Sequence, residues 1–135
     1  MRNNPSEIAA KTAEKFRRTA QLAAREGILP YKSAEGRWIT SPYDGNSWWT
    51  GGFWPGLMWQ LFCATGEEAF KQEALRAEAM LTAEFRSFRY LNHDVGFMYL
   101  LSCGAHDKLL GDEQASMDTL HAATLLMGRD RKSVV

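Results

Sequence analysis

From Phe53 onward the apolar residues Trp54, Leu57, Met58, Leu61 and Phe62 recur at steps of three, one, three and one, which is the spacing of a single helical stripe. Trp59 and Cys63 widen that stripe until the segment is apolar nearly all round, so a central helix is expected rather than a surface one. Thr65-Gly66 closes it and Glu67-Glu68 opens another, in which Phe70, Ala74, Ala77, Leu81, Phe85 and Phe88 mark one face at helical spacing. The two segments read as a helical hairpin with a two-residue joint.

Upstream, Asn4 as cap and Pro5 in the first turn start a helix with Ile8, Ala9, Thr12, Phe16, Ala20 and Ala23 on one face. Gly27 ends it, and a loop of about 25 residues follows, a length that compact domains usually keep for function. This loop carries Trp38, Tyr43, Asp44, Asn46, Trp48 and Trp49, aromatic and polar groups with no evident burial partner. Downstream, Arg89 to Asp94 is a second loop. Val95 to Cys103 then reads as a short apolar helix with Phe97, Met98 and Leu101 inward. A last helix runs from about Asp112 to Met127, with Met117, Leu120, His121, Thr124 and Leu125 on one face. No stretch shows convincing strand alternation, so the fold class is all-α.

Loop, apolar helix, amphipathic helix, then loop, apolar helix, amphipathic helix: the order repeats. Gly52-Phe53 matches Gly96-Phe97, and Thr65-Gly66-Glu67-Glu68 lies beside Leu110-Gly111-Asp112-Glu113 about 45 residues on, close to known helical-repeat periods. Hairpins with apolar inner and amphipathic outer members predict a solenoid or a closed ring, with the inner helices lining its centre. The last helix is still apolar when Gly128-Arg129-Asp130-Arg131 turns charged. Residues 1–135 are therefore expected to form one partial domain, with 128–135 a disordered or truncated tail.

Composition narrows the partners. The 135 residues hold 16 Lys plus Arg against 16 Asp plus Glu, without blocks of either sign. No field for nucleic acid or a membrane surface is implied, and a small molecule is the expected partner. The Phe53–Cys63 run is about half the roughly 20 residues that span a bilayer. The charged N-terminal helix lacks a secretory core, which points to the cytoplasm. Cys63 and Cys103 are each expected to be buried thiols.

Two readings of the chemistry-bearing residues stand side by side. Asp94, at a loop-to-helix junction, can cap the helix through its carboxylate or serve as an acid or base in a pocket. Trp48 and Trp49 can plug a bundle end or stack on the C–H face of a sugar ring. His93-Asp94, His106-Asp107 and His121 also invite a metal-phosphohydrolase reading, against which His106 sits in a turn and His121 on an apolar stripe, where histidines are usually structural.

In this order and spacing, Trp49-Thr50-Gly51-Gly52-Phe53-Trp54-Pro55-Gly56, Ala64-Thr65-Gly66, His93-Asp94-Val95-Gly96-Phe97-Met98 and Lys108-Leu109-Leu110-Gly111-Asp112 resemble the unsaturated glucuronyl hydrolases of glycoside hydrolase family 88. The resemblance implies an (α/α)6 barrel of which this chain supplies the first two to three helical hairpins. It also implies hydration of the C4=C5 double bond of an unsaturated uronic acid. An acid protonates C4, water adds at C5, and the resulting hemiketal collapses to release the sugar, with no metal or other cofactor. By the same resemblance Asp94 is one of two paired carboxylates. His93, Trp48, Trp49 and Asn46 contact substrate, and the second aspartate lies beyond Val135. A non-catalytic helical-repeat carbohydrate-binding or scaffold module is the alternative.

Overall fold

The computed structural model describes residues 4–40, 46–89 and 91–129. Helix α1 (Pro5–Glu26) begins where expected, with Asn4 Oδ1 accepting from the Ser6 amide, and ends at Gly27 in the left-handed region, φ 65°. Its buried residues are Ala13, Thr19, Ala20 and Ala23, while Ile8 and Ala9 at the outer end of the expected stripe are exposed.

The long loop is not free of strand. Lys32–Ala34 (β1) and Arg37–Ile39 (β2) pair antiparallel, with Ser33 opposite Trp38. The hairpin corrects the all-loop reading of this stretch. Its turn is Glu35-Gly36, both at positive φ (50° and 74°), the geometry that matches strand twist in two-residue hairpins. Strands of three residues are too short for alternation to show. Tyr43 and Asp44 lie outside the described residues.

A 3-10 turn, Trp49–Gly52, runs into α2 (Phe53–Thr65), and α3 (Glu68–Ser87) follows after the two-residue joint. Both tryptophans of α2 donate to glutamates of α3: Trp54 Nε1 to Glu73 Oε1 at 2.7 Å and Trp59 Nε1 to Glu78 Oε2 at 3.0 Å. Burying an indole N–H without a partner costs on the order of 1–3 kcal/mol, so these bonds set the register of the hairpin. Arg76 neutralises Glu73 at 2.7 Å and also donates to the Ile28 carbonyl at 2.6 Å, tying α3 to the end of α1. Phe70, Ala74, Ala77, Leu81 and Phe85 are buried as the periodicity predicts, but Phe88 is not. It caps α3 at φ 58° and is 67% exposed, because the chain reverses there before the stripe completes.

The expected single helix from Val95 to Cys103 is two: α4 (Val95–Leu101) and α5 (Cys103–Leu110), broken at Ser102, whose φ/ψ of −101°/−102° belong to neither. Ser102 is buried and its hydroxyl donates back to the Met98 carbonyl at 2.6 Å, satisfying it at the break. Met98 is buried, whereas Phe97, expected inward, is 54% exposed.

The last helix, α6 (Glu113–Arg129), extends past the expected boundary, so Gly128 and Arg129 are helical and not part of a tail; residues 130–135 lie outside the described set. Its face is also corrected. Ala115, Asp118 and Ala122 are buried, while Met117 and Leu120 point outward at 59% and 69% exposure. Small residues let α6 sit close against α5, and Asp118 is satisfied by Arg86 at 2.7 Å and Gln114 at 3.2 Å.

Helices α1, α3 and α6 form one layer and the segment pairs 49–65 and 95–110 the other. The repeat landmarks are geometrically alike. Gly66 and Gly111 both cap their helices in the left-handed region, each amide returning to a carbonyl one turn back at 2.7 Å, Phe62 and Asp107 respectively. One connected cluster of buried side chains, including Trp59, Phe70, Leu81 and Met98, lies between the layers.

Candidate functional site

The two loops named from the sequence meet at the starts of the inner-layer helices. Gly52 makes this possible. A Cβ there would lie 2.5 Å from the Met98 carbonyl oxygen and 2.9 Å from Met98 Cα, so only glycine lets the first turn of α2 rest on α4. Gly56 repeats the approach one turn later against the Leu101 carbonyl oxygen at 2.7 Å. The glycines of this motif thus seat one inner helix on the next.

With the helices this close, Trp49 reaches across both. Its ring lies 6.1 Å from Phe53 and 6.0 Å from Phe97, edge to face in each case, and 6.4 Å from Trp48. Trp48 turns the other way, edge-on to Tyr31 at 6.3 Å, and shares a small cleft with Tyr31, Pro30, Thr40 and Asn46. The two tryptophans therefore occupy different sides of one aromatic loop. Trp49, Phe53 and Phe97 stay more than a third exposed.

Asp94 stands at the foot of α4. Its backbone carbonyl accepts from the Phe97 and Met98 amides at 2.9 and 3.3 Å, and its own amide is held by Asn92 Oδ1 at 2.8 Å. The side chain makes no capping bond, so the capping reading of this carboxylate fails. Its ionic neighbour is His93, Nε2 to Oδ1 at 3.5 Å, with the histidine almost fully exposed and the Asp94 side chain largely covered. Asn46 is fixed through its backbone amide, which donates to Glu84 Oε1 at 2.8 Å. Sequence reasoning missed Glu84 as a part of this arrangement, and it placed Phe97, a member of the downstream loop-to-helix motif, inward. Asn92 had a signal in its Asx spacing to Asp94, while Glu84 is distant in sequence and had none.

The remaining histidines lie elsewhere. His106 is buried under α5, stacked on Trp59 at 4.1 Å and 22°, with Nδ1 2.9 Å from Glu78 Oε1. Burial pushes the Glu78 carboxyl up from its ordinary range, opposed by the hydrogen bonds from His106 and Trp59. His121 packs near Phe88 at 6.1 Å. Among the described residues no group of three or more His, Cys, Asp or Glu is arranged to hold a metal ion. Cys103 is buried, its thiol pushed up by desolvation, but Cys63 is exposed, contrary to expectation. Both are free thiols.

Stacked helical hairpins, with an aromatic loop and an aspartate at the starts of consecutive inner helices, define a segment of an (α/α)6 toroid. The comparisons show what this segment is similar to. The chain is 39% identical over 89 residues to the unsaturated glucuronyl hydrolase of Bacillus sp. (strain GL1), covering 65% of this chain and 24% of that protein. It is 36% identical over 89 residues to the unsaturated chondroitin disaccharide hydrolase of Streptococcus pneumoniae (strain ATCC BAA-255 / R6), covering 65% of this chain and 22% of the relative. The crystal structure of the Bacillus sp. GL1 unsaturated glucuronyl hydrolase, described as responsible for the degradation of glycosaminoglycan, superposes with a TM-score of 0.76 at 31% identity. That match spans 91% of this chain and 32% of the solved one. No family model matches. The curated relatives and structural neighbours are thus unsaturated glucuronyl hydrolases, as the motifs implied, and the chain spans about a quarter of the length of those relatives.

Proposed function

We propose that these residues form part of a glycoside hydrolase that releases the unsaturated glucuronyl residue from lyase-generated glycosaminoglycan-type oligosaccharides, by hydration of the C4=C5 double bond. Asp94 is one of the paired carboxylates, His93 its neighbour, and Trp49 the saccharide wall on the α4 side, with Trp48 and Asn46 contacting substrate from the other side of the aromatic loop. The observation that carries the proposal is the Trp49–Phe97 contact, which closes the aromatic loop onto the first turn of α4, the turn whose Phe97 amide donates to the Asp94 backbone carbonyl. The Asp94 carboxylate, which makes no helix-capping bond, supports the same reading. So do the names of the relatives, which specify unsaturated glucuronyl and unsaturated chondroitin disaccharide substrates.

The chemistry needs a proton delivered to C4 and a water activated at C5. A positioned carboxyl group contributes about 10²–10⁴-fold to such proton transfers. The aromatic surface supplies C–H stacking that orients the sugar ring, leaving the double bond open to the water that adds at C5. The second carboxylate of the pair is assigned, as the resemblance implies, to a part of the enzyme outside these 135 residues. A small-molecule substrate and a reducing, cytoplasmic setting belong to the same reading, the latter supported by the two free thiols. Among the described residues no helix is long and apolar enough to cross a membrane.

The test uses an unsaturated chondroitin disaccharide, whose double bond absorbs in the ultraviolet. The 135-residue chain is expected to quench tryptophan fluorescence on titration but leave the absorbance unchanged. Grafted in place of the matching segment of the Bacillus sp. enzyme, it is expected to restore turnover, and Asp94→Asn in the graft to reduce it at least about 100-fold. Turnover by the chain alone, abolished by Asp94→Asn, would refute the claim that the second acid lies elsewhere.

A further inference from the structure

Glu84 lies in the last turn of α3, on the outer layer, and takes no part in the hairpin register set by Glu73 and Glu78. Its Oε1 accepts the Asn46 amide at 2.8 Å, linking the outer helix to the aromatic loop. One turn earlier on the same face, buried Leu81 lies directly beneath that loop, its Cδ2 only 3.2 Å from where a Cβ on Gly51 would be. The Asn46 carbonyl oxygen is 3.3 Å from the same point. Leu81 and Glu84 therefore make a two-point seat, apolar below and polar at the rim, on which the segment Asn46–Gly51 rests.

The same end of α3 also leads into the other loop. After Phe88 the chain turns through Leu91 and Asn92 to Asp94, and Asn92 Oδ1 holds the Asp94 amide. Both walls of the proposed pocket are thus referenced to the last turn of α3. A carboxylate accepting a backbone amide is a charge-assisted bond, stronger and shorter than its neutral counterpart.

We infer that Glu84 is a positioning residue for saccharide binding: by anchoring the Asn46 amide it fixes the placement of the aromatic loop that carries Trp48 and Trp49 relative to Asp94. This rests on the reading of the two loops as walls of one site, and the effect on ligand passes through Trp48 and Trp49, not through contact with Glu84 itself.

The experiment compares the 135-residue chain with its Glu84→Ala and Glu84→Gln variants by three readouts. These are hydrogen exchange at the Asn46 amide, affinity for an unsaturated chondroitin disaccharide by tryptophan fluorescence, and the thermal midpoint. Glu84→Ala is expected to speed Asn46 exchange and weaken the disaccharide about tenfold each, with the thermal midpoint within a few degrees of the parent. Glu84→Gln keeps an acceptor oxygen and is expected to recover most of both. Unchanged exchange and affinity in Glu84→Ala would overturn the inference, as would equal losses in both variants accompanied by a fall in thermal midpoint, which would mark Glu84 as merely structural. If the parent chain binds no disaccharide, the functional reading fails by itself. The exchange arm, with the Trp48 and Trp49 indole resonances, still decides whether Glu84 holds the loop.

Discussion

Trp49 and Phe97, one from a 3-10 turn and one from the first turn of α4, lie with ring centroids 6.0 Å apart and planes at 66°. The edge-to-face contact joins two loops that the chain separates by a complete helical hairpin. Because Phe53 meets Trp49 from the other side at 6.1 Å, the indole is held between two helices and still keeps 38% of its surface open.

Replacing that indole tests the wall. Trp49→Ala removes three aromatic contacts, each worth about 0.5–1.5 kcal/mol beyond burial. Stability is expected to fall by about 2 kcal/mol in denaturant titrations, and disaccharide affinity by at least tenfold in fluorescence titrations that use the other tryptophans.

The close approach of α2 and α4 makes a sharper prediction. Gly52→Ala puts a methyl 2.5 Å from a backbone oxygen that cannot swing aside, and it is expected to destabilise by about 3 kcal/mol or more. Gly128→Ala is the control. It lies within α6 with nothing within 4 Å of the added Cβ, and is expected to stabilise by about 0.5–1 kcal/mol. Chemical denaturation of the two variants reads both signs.

Glu78 predicts a pH dependence. Burial raises its folded-state pKa above the unfolded value of 4.5, more than the bonds from His106 and Trp59 lower it. A raised pKa contributes stability that is fully present below the unfolded value and lost as pH rises through the folded one. Glu78→Gln is neutral throughout and retains an acceptor oxygen. The difference in thermal midpoint between variant and parent is therefore expected to shift in favour of the variant as pH rises from about 4.5 toward neutrality.

The cysteines separate by accessibility. Cys63 is exposed on α2, while Cys103 is buried and its thiol is pushed up by desolvation. A thiol reagent at neutral pH is expected to modify one cysteine in the native chain and two in denaturant, with mass spectrometry placing the first label on Cys63.

Much of this architecture was legible from periodicity. The spans of α1, α2 and α3, the caps at Asn4, Gly27 and Gly66, and the echo of Gly66 in Gly111 follow from local rules, because a helix start or stop needs only a few neighbouring residues. Periodicity erred where tertiary context outweighed it. Met117 and Leu120 promised an inward face, yet α6 packs through Ala115, Asp118 and Ala122, since close contact with α5 favours small side chains and Arg86 waits to neutralise the acid. The β1–β2 hairpin escaped notice because its signal was a Glu35-Gly36 turn rather than alternation. The motifs Trp48-Trp49-Thr50-Gly51-Gly52 and His93-Asp94 were plain as candidates, and the likeness they carried was borne out by the curated relatives.

What the amino-acid order determined alone was the helical repeat, the chemistry available at its loops and the class of enzyme it resembles, all carried by residues near one another in the chain. Only the tertiary structure decided that Gly52 and Gly56 serve backbone-to-backbone packing, that Trp49 rather than Trp48 meets Phe97, and that Glu84 anchors Asn46. It also decided that the Asp94 carboxylate is not consumed as a helix cap. Each of these depends on the distance and angle between segments far apart in sequence, which is set by how the two helical layers interlock.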